Sequence, residues 1–394
     1  MPKTLRDELQ ELLSEDAGFA ISRAWETFGA AAGPRRVVLV GAGRLGTNVV
    51  AAMEAGGMHP PLAFADNNRH KHGQPHAGIR VMSIESAAAL YRDAIFVVTI
   101  WGANSAHRIQ RTEQQLRSLG LATAPFLHLL WACDRGLPHF GLDRPAMILT
   151  DRANVLRAFE LLADDESRQL FVANVRARLT GQIDQLPEPS TLAAYLPGDV
   201  YAPRDDERIV DGGAFDGDTL RSWIRSGRPF ERWTAIEPHP INAHAFRRNQ
   251  QALGRTVADR VKLYDVALDA NAGTLRMTPE AGLNAHASTD PSGPEVSAVQ
   301  LDQLAFAADA TLIKLDIEGA EPQALLGMER TVRDQAPVLA VCVYHKQHHL
   351  WTVPLAMAAM RDDYALFLRA HGAEGWDLVC YVVPAARRLD ARAA

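Results

Sequence analysis

The 394-residue chain is too long for one ordinary core and suits two α/β domains. With 47 acidic against 41 basic residues its net charge is −6, and the lack of a broad basic field argues against nucleic acid as a partner. Three cysteines give no disulfide framework, and the charged N-terminus reads as neither signal peptide nor membrane anchor, so a cytoplasmic location is expected.

A polar leader, residues 3–30, has helical character. The apolar run 36–40 enters Gly41-Ala-Gly43-Arg-Leu-Gly46, and helical residues follow from 47 to 55. A G-x-G-x-x-G between strand and helix is the context a dinucleotide-binding loop requires. A second strand, 61–65, ends in Asp66, twenty residues after Gly46, an offset that suits an acid bonding ribose hydroxyls. A third, 95–100, ends at Trp101-Gly102. Residues 1–150 therefore read as a Rossmann-like domain, with Gly41, Gly43, Gly46 and Asp66 as a candidate nucleotide site. NAD, a sugar nucleotide and no ligand at all fit the same residues, the last leaving a structural role such as homodimer formation. No acid–base dyad for hydride chemistry stands beside the glycines. Segment 63–85 is similar to the small nucleotide-binding domains found ahead of sugar-modifying enzymes.

His70, His72 and His76 lie in a Gly/Pro-bearing loop and read as solvated, and the lone Cys133 as a packing residue. Leu156, Phe159, Leu161, Leu162, Leu170 and Phe171 give a broken helical periodicity within a linker, 151–203, whose Pro and Gly breaks fall at 185–190 and 197–199. Tyr195 and Tyr201 in that linker read as packing residues rather than as the lining of an acceptor pocket.

Residues 208–220, RIVDGGAFDGDTL, carry the strongest signal. A short strand ends on Asp211, a glycine-rich turn follows (Gly212, Gly213, Phe215, Gly217), and helix begins near Asp218-Thr219. Such a loop lets a ligand approach the backbone closely and ends at a helix N-terminus, which favours anionic groups. An acid at the strand tip favours instead a ligand with a cation or ribose hydroxyls; S-adenosylmethionine (SAM) has a cation, a carboxylate and a ribose. Further strand tips follow at Glu237, at Asp265-Val266, at Asp316 with Glu318 and Glu321 beyond it, and at Tyr344-His345. Alternation with helical stretches such as 241–253 indicates a parallel α/β sheet whose ligands lie outside the carboxyl ends of the strands.

The blocks VDGGAFDGDT (210–219), IEPHPINAHAFRRN (236–249), VQLDQL (299–304) and IKLDIEGAEPQALLGM (313–328) resemble the FkbM-type methyltransferases, as do 337–355 and 364–384. The resemblance covers about residues 204–386. It implies a SAM-dependent methyltransferase fold over 204–394, with a mostly parallel seven-stranded sheet and helices on both faces. The expected cofactor contacts are Asp211, Gly212, Gly213, Phe215, Gly217, Asp218, Glu237, Asn242, Asp265, Val266 and Asp316. Asp265 would border the adenine and Asp316 the methionine end.

Methyl transfer to a hydroxyl needs a base, for which His345 and Glu318 compete, with Asp316 beside them. Glu321 reads as the opening of a helix at Pro322, and Lys314 as an internal ion-pair partner. His345, His348 and His349 with Asp316 or Glu318 would suit a divalent cation, but H-x-x-H-H is not a structural zinc pattern and no metal is expected. The loop 281–295 is expected to shape acceptor choice. The sequence thus points to O-methylation of a small-molecule or carbohydrate acceptor. The competing readings are a NAD- or sugar-nucleotide-dependent oxidoreductase and a non-catalytic nucleotide-binding protein.

Overall fold

The apolar runs VVLV, AFA and IFVV become neighbouring parallel strands because both their faces are covered. A computed structural model describes residues 3–16, 18, 22, 26, 28, 36–102, 107–137, 141–283 and 285–389. Within the leader, Leu5–Ser14 is a helix closed by a capping box between Thr4 and Asp7; much of the remainder lies outside the described residues. Two compact units emerge: Met1–Leu156 with Gln169–Pro189 and Gly372–Trp376, and Arg157–Arg168 with Ser190–His371 and Asp377–Ala394. The stretch 151–203 holds the helices Arg152–Glu160 and Asp165–Thr180 and is divided between them.

The first unit is built on β1 (Val37–Val40), β2 (Ala63–Ala65), β3 (Pro75–His76), β4 (Ile79–Met82), β5 (Ile95–Val98) and β6 (Ala122–Ala124), in the order β3-β4-β2-β1-β5-β6. Only the β3–β4 pair is antiparallel. The chain leaves β1 through the glycine loop into the helix Arg44–Ala55.

The second unit holds a seven-stranded sheet of β7 (Arg208–Gly212), β8 (Arg232–Ile236), β9 (Val261–Tyr264), β13 (Leu312–Leu315), β14 (Val338–Cys342), β15 (Tyr364–Ala370) and β16 (Leu378–Pro384). Its order is β15-β16-β14-β13-β7-β8-β9, parallel from β14 to β9, with β16 and β15 joined antiparallel at one edge. Between β9 and β13 the chain makes a small sheet, β10 (Val266–Leu268), β11 (Gly273–Arg276) and β12 (Glu295–Val299), in the order β10-β12-β11.

Strands β7, β8 and β9 are laid down in one direction, after which the chain returns to place β13 on the other side of β7. That reversal opens a crevice at the carboxyl ends of β7 and β13, where open α/β sheets bind ligands. Helix starts are set locally. Gly217, at φ 87°, turns the chain into the helix Asp218–Arg225, and Pro240 opens Pro240–Gln251 at a position where a missing N–H costs nothing. No helix among the described residues is long and apolar enough to cross a membrane.

Candidate active site

Register brings the first two charges together. Lys314 of β13 pairs with Asp211 of β7, and its ammonium lies 3.0 Å from the Asp211 carboxylate while donating to the Gly213 carbonyl at 2.7 Å. Both side chains are buried, 3% and 0% exposed, so neither meets solvent. Burial opposes the charge on Lys314, but Asp211 and Asp316 outweigh it and raise its pKa; burial also lifts the Asp211 carboxyl against the pull of Lys314. Asp211 thus holds Lys314 beneath the loop. The loop itself lies hard against β13: Gly213, at φ 76°, has no room for a Cβ, which would overlap the Asp316 carbonyl. Phe215 also adopts a left-handed conformation, φ 46°.

At the tip of β8, Glu237 accepts from the backbone N–H groups of Phe215 and His239, each at 2.9 Å, and from Asn242 at 3.3 Å. Three of about four acceptor positions of a carboxylate are thereby used, leaving room for one more donor. Burial lifts its pKa to about 7, against those hydrogen bonds. Asn242 also exchanges hydrogen bonds with Gly282, tying the segment after β11 to the same helix start. His239 is buried with both ring nitrogens unpaired. Asp218 is exposed at the start of its helix, and Asp265 is half-exposed and paired with Arg247. Val266 begins β10 beside it.

The densest chemistry lies beyond β13 and β14. Asp316 accepts from Tyr195 at 3.0 Å and from Tyr344 at 3.3 Å, and stands 3.2 Å from Nε2 of His345. Glu318, forced to φ 55°, brings Oε1 to 3.5 Å from the same nitrogen. On the far side of the ring, Nδ1 donates to Glu321 Oε1 at 2.8 Å. The other oxygen of Glu321 lies 3.2 Å from His349, and Oε1 also accepts the Ile317 N–H at 3.0 Å. Burial disfavours charge on all four groups. Mutual attraction outweighs it for His345, whose pKa rises well above neutral, and for Asp316 and Glu321, which fall below the usual carboxylate range. For Glu318 burial prevails and the carboxyl is raised. Nearby Asp377 is pushed up to about 6 by burial and by Asp316. Asp316, Glu318 and His345 each offer one ligand atom within 4.8 Å of the others.

The expected residues therefore separate into three groups. Asp316, Glu318 and His345 converge; Asp211 is enclosed with Lys314; Glu237 and Asn242 gather at the next strand tip. Tyr195 lay in a stretch read as linker, and its reach to Asp316 has no local sequence signal. Glu321 opens the helix Glu321–Leu326 as expected and is also the wholly buried anchor of two histidines, which its sequence position does not signal.

In the first unit, Asp66 accepts from Ala42 N–H at 2.9 Å, Asn68 N–H at 2.8 Å and Lys71 Nζ at 3.0 Å, bonds that lower its pKa although burial opposes them. Gly41 leaves no room for a Cβ against Ile100, and at Gly46 a Cβ would sit 2.7 Å from Phe64, whereas at Gly43 it would meet nothing within 4 Å. His76 contacts the Gly43 carbonyl at 3.1 Å and Thr47 at 3.0 Å.

Residues 211–373 match the family described as Methyltransferase FkbM domain. A crystal structure of methyltransferase FkbM from Methylobacillus flagellatus KT is similar over 97% of this chain and 100% of its own, with a TM-score of 0.76 at 22% identity, a likeness of fold. A putative rRNA-methylase from Clostridium thermocellum aligns with 48% of this chain and 90% of its own at 8% identity and a TM-score of 0.31. An SAH-bound methyltransferase from Podospora anserina aligns with 59% and 87% at 12% identity and 0.26. No curated protein sequence matches the chain. The crevice at β7 and β13, with its buried ion pair and its acid–imidazole cluster, thus lies within the residues that match the FkbM methyltransferase domain.

Proposed function

We propose that this chain is a SAM-dependent O-methyltransferase acting on a hydroxyl of a sugar, sugar-linked or natural-product acceptor. The observation that carries the reading is Glu318, a carboxyl raised by burial and held beside His345 at the ligand-binding end of the sheet. A raised carboxyl is the stronger base once ionised, and proton removal is what a hydroxyl nucleophile requires.

The donor set fits SAM. Glu237 retains an acceptor position for a ribose hydroxyl, and Asp316 keeps its negative charge where a cationic centre would need it. The glycines from Gly212 to Gly217 let a ligand lie close to the backbone, and Asp265 stands at the next tip for the adenine. When bound, SAM supplies a methyl group already activated for displacement. The residues of the chain then align and deprotonate the acceptor. Transfer would join the acceptor oxygen to that methyl as its bond to sulfur breaks, with the acceptor proton passing to Glu318, and would leave a methyl ether and S-adenosylhomocysteine (SAH). Tyr195 and Tyr344 hold Asp316 in place, and Glu321 holds His345. Alignment of this kind supplies much of the rate in a one-step displacement.

Calorimetric titration of SAH into wild type and Glu237→Ala tests the proposal. Binding that weakens at least tenfold in the variant, about 1.4 kcal/mol, supports it and directs a screen of acceptors beginning with sugars. Folded wild type that binds no SAH rejects it, and NADH binding in its place would move attention to Gly41, Gly43, Gly46 and Asp66.

A further inference from the structure

The tip of β13 gathers three carboxyl groups. Asp316, Glu318 and Glu321 crowd one imidazole; Lys314 is already engaged by Asp211 and the Gly213 carbonyl, and the partly buried Lys346 acts on Glu318 and Glu321. The His345 ring is 3% exposed, and its Nε2 makes no aligned hydrogen bond although it faces Asp316 at 3.2 Å and Glu318 at 3.5 Å. Its direction is fixed from behind, since Glu321 takes the Nδ1 proton at 2.8 Å and is itself pinned by the Ile317 N–H. A carboxylate behind an imidazole whose other nitrogen is aimed at two carboxylate oxygens is how proteins orient a metal-ligating histidine.

We propose that Asp316, Glu318 and Nε2 of His345 bind a divalent cation of the Mg²⁺ or Mn²⁺ kind. Two carboxylate oxygens and one imidazole nitrogen, with ligand atoms within 4.8 Å of one another, match the preference of these ions for oxygen-rich sites with positions left for other oxygens. Binding replaces the proton on Nε2, which is released to solvent. Capture of the cation stands apart from the methyl-transfer proposal. Only its task rests on that reading: to lower the pKa of an acceptor hydroxyl whose proton the second Glu318 oxygen then accepts.

The full chain, stripped with a chelator, is titrated with Mn²⁺ and followed by electron paramagnetic resonance of the free ion. Bound Mn²⁺ is then examined by pulsed resonance for nitrogen modulation. One Mn²⁺ per chain, with modulation from a directly bound imidazole and at least tenfold weaker binding in Glu318→Gln, is the expected result. No stoichiometric Mn²⁺ on folded wild type overturns the site. So does bound Mn²⁺ without nitrogen modulation, or affinity unchanged in Glu318→Gln. The modulation is read on wild type, so a variant that fails to fold leaves the test intact. SAH is titrated into the same stripped protein. SAH binding without Mn²⁺ overturns the cation site and leaves methyl transfer standing; Mn²⁺ binding without SAH supports the site and rejects methyl transfer.

Discussion

Beside the tip of β1, the acid of the neighbouring strand is closed upon its own loop. Asp66 accepts from Ala42, Asn68 and Lys71, and the Lys71 ammonium also donates to the Ala42 carbonyl at 2.8 Å. Beside the tip of β7, Glu237 is closed upon its loop in the same way, but the ground around it and beyond β13 is left open: both His239 nitrogens and His345 Nε2 are buried without hydrogen bonds. The two regions share a strand, a glycine loop and a helix, yet one spends its polar capacity internally and the other holds it in reserve. Buried polar groups are nearly always satisfied, so a local concentration of exceptions marks a place that expects a ligand. Loop grammar alone does not make that distinction.

The largest effects are expected where the open region depends on buried charge. Lys314→Met removes one partner of an enclosed pair and leaves Asp211 uncompensated, a loss of about 3–5 kcal/mol by denaturant unfolding. Asp211→Asn together with Lys314→Met should recover much of it. If the single variant costs under about 1 kcal/mol, the pair does not hold the crevice. Next in size is Gly213→Ala. Its left-handed φ costs about 1–3 kcal/mol for a residue with a Cβ, and overlap with the Asp316 carbonyl adds to that. Unfolding should shift accordingly, and a variant as stable as wild type would show that β7 and β13 part readily at their tips.

What the sequence conveyed and what it withheld divide along the same line. Strand tips were legible because an apolar run ending in an acid marks its own end, as at Glu237 and Asp316, whereas β7 runs one residue past Asp211 to Gly212. The sheet's polarity followed from alternation with helices. Pairings across the sheet were not legible, because register depends on how neighbouring strands slide. Lys314 was read as an ion-pair partner, but only the β7–β13 register selects Asp211 for it. Tyr195 reaches Asp316 across 121 positions of sequence, and nothing local announces that. Glu321 opens a helix as Pro322 after it suggests, but its fully buried position between His345 and His349 is a tertiary fact.

A smaller effect sharpens the contrast through pH. Burial holds the Glu237 carboxyl at about 7 in the folded chain, against an ordinary 4.5. Its protonated form is therefore favoured by folding. That contribution is fully present below about pH 4.5 and is lost as the pH rises through 7. Glu237→Gln removes the dependence, so the stability of wild type relative to the variant should fall by about 1–3 kcal/mol over that interval. A difference that stays flat from pH 4 to 8 would mean that the backbone donors from Phe215 and His239, rather than burial, set the charge.

The smallest expected effect falls in the closed region and is the most diagnostic for it. Gly41 and Gly46 are required by Ile100 and Phe64, so their presence says nothing of a ligand. Gly43 differs, since a Cβ there meets nothing within 4 Å and its φ of −140° is open to any residue. Alanine is a poorer N-cap than glycine but loses less chain entropy on folding, and the two effects oppose each other. Gly43→Ala should therefore leave stability within about 0.5 kcal/mol of wild type. Titration of NADH and of a nucleotide sugar into both proteins then asks whether the loop serves a nucleotide, because the middle glycine is the one that lets backbone approach a pyrophosphate. Binding to wild type that weakens in Gly43→Ala would give the closed loop a ligand after all, whereas no binding to either protein would leave its glycines to packing and turn geometry.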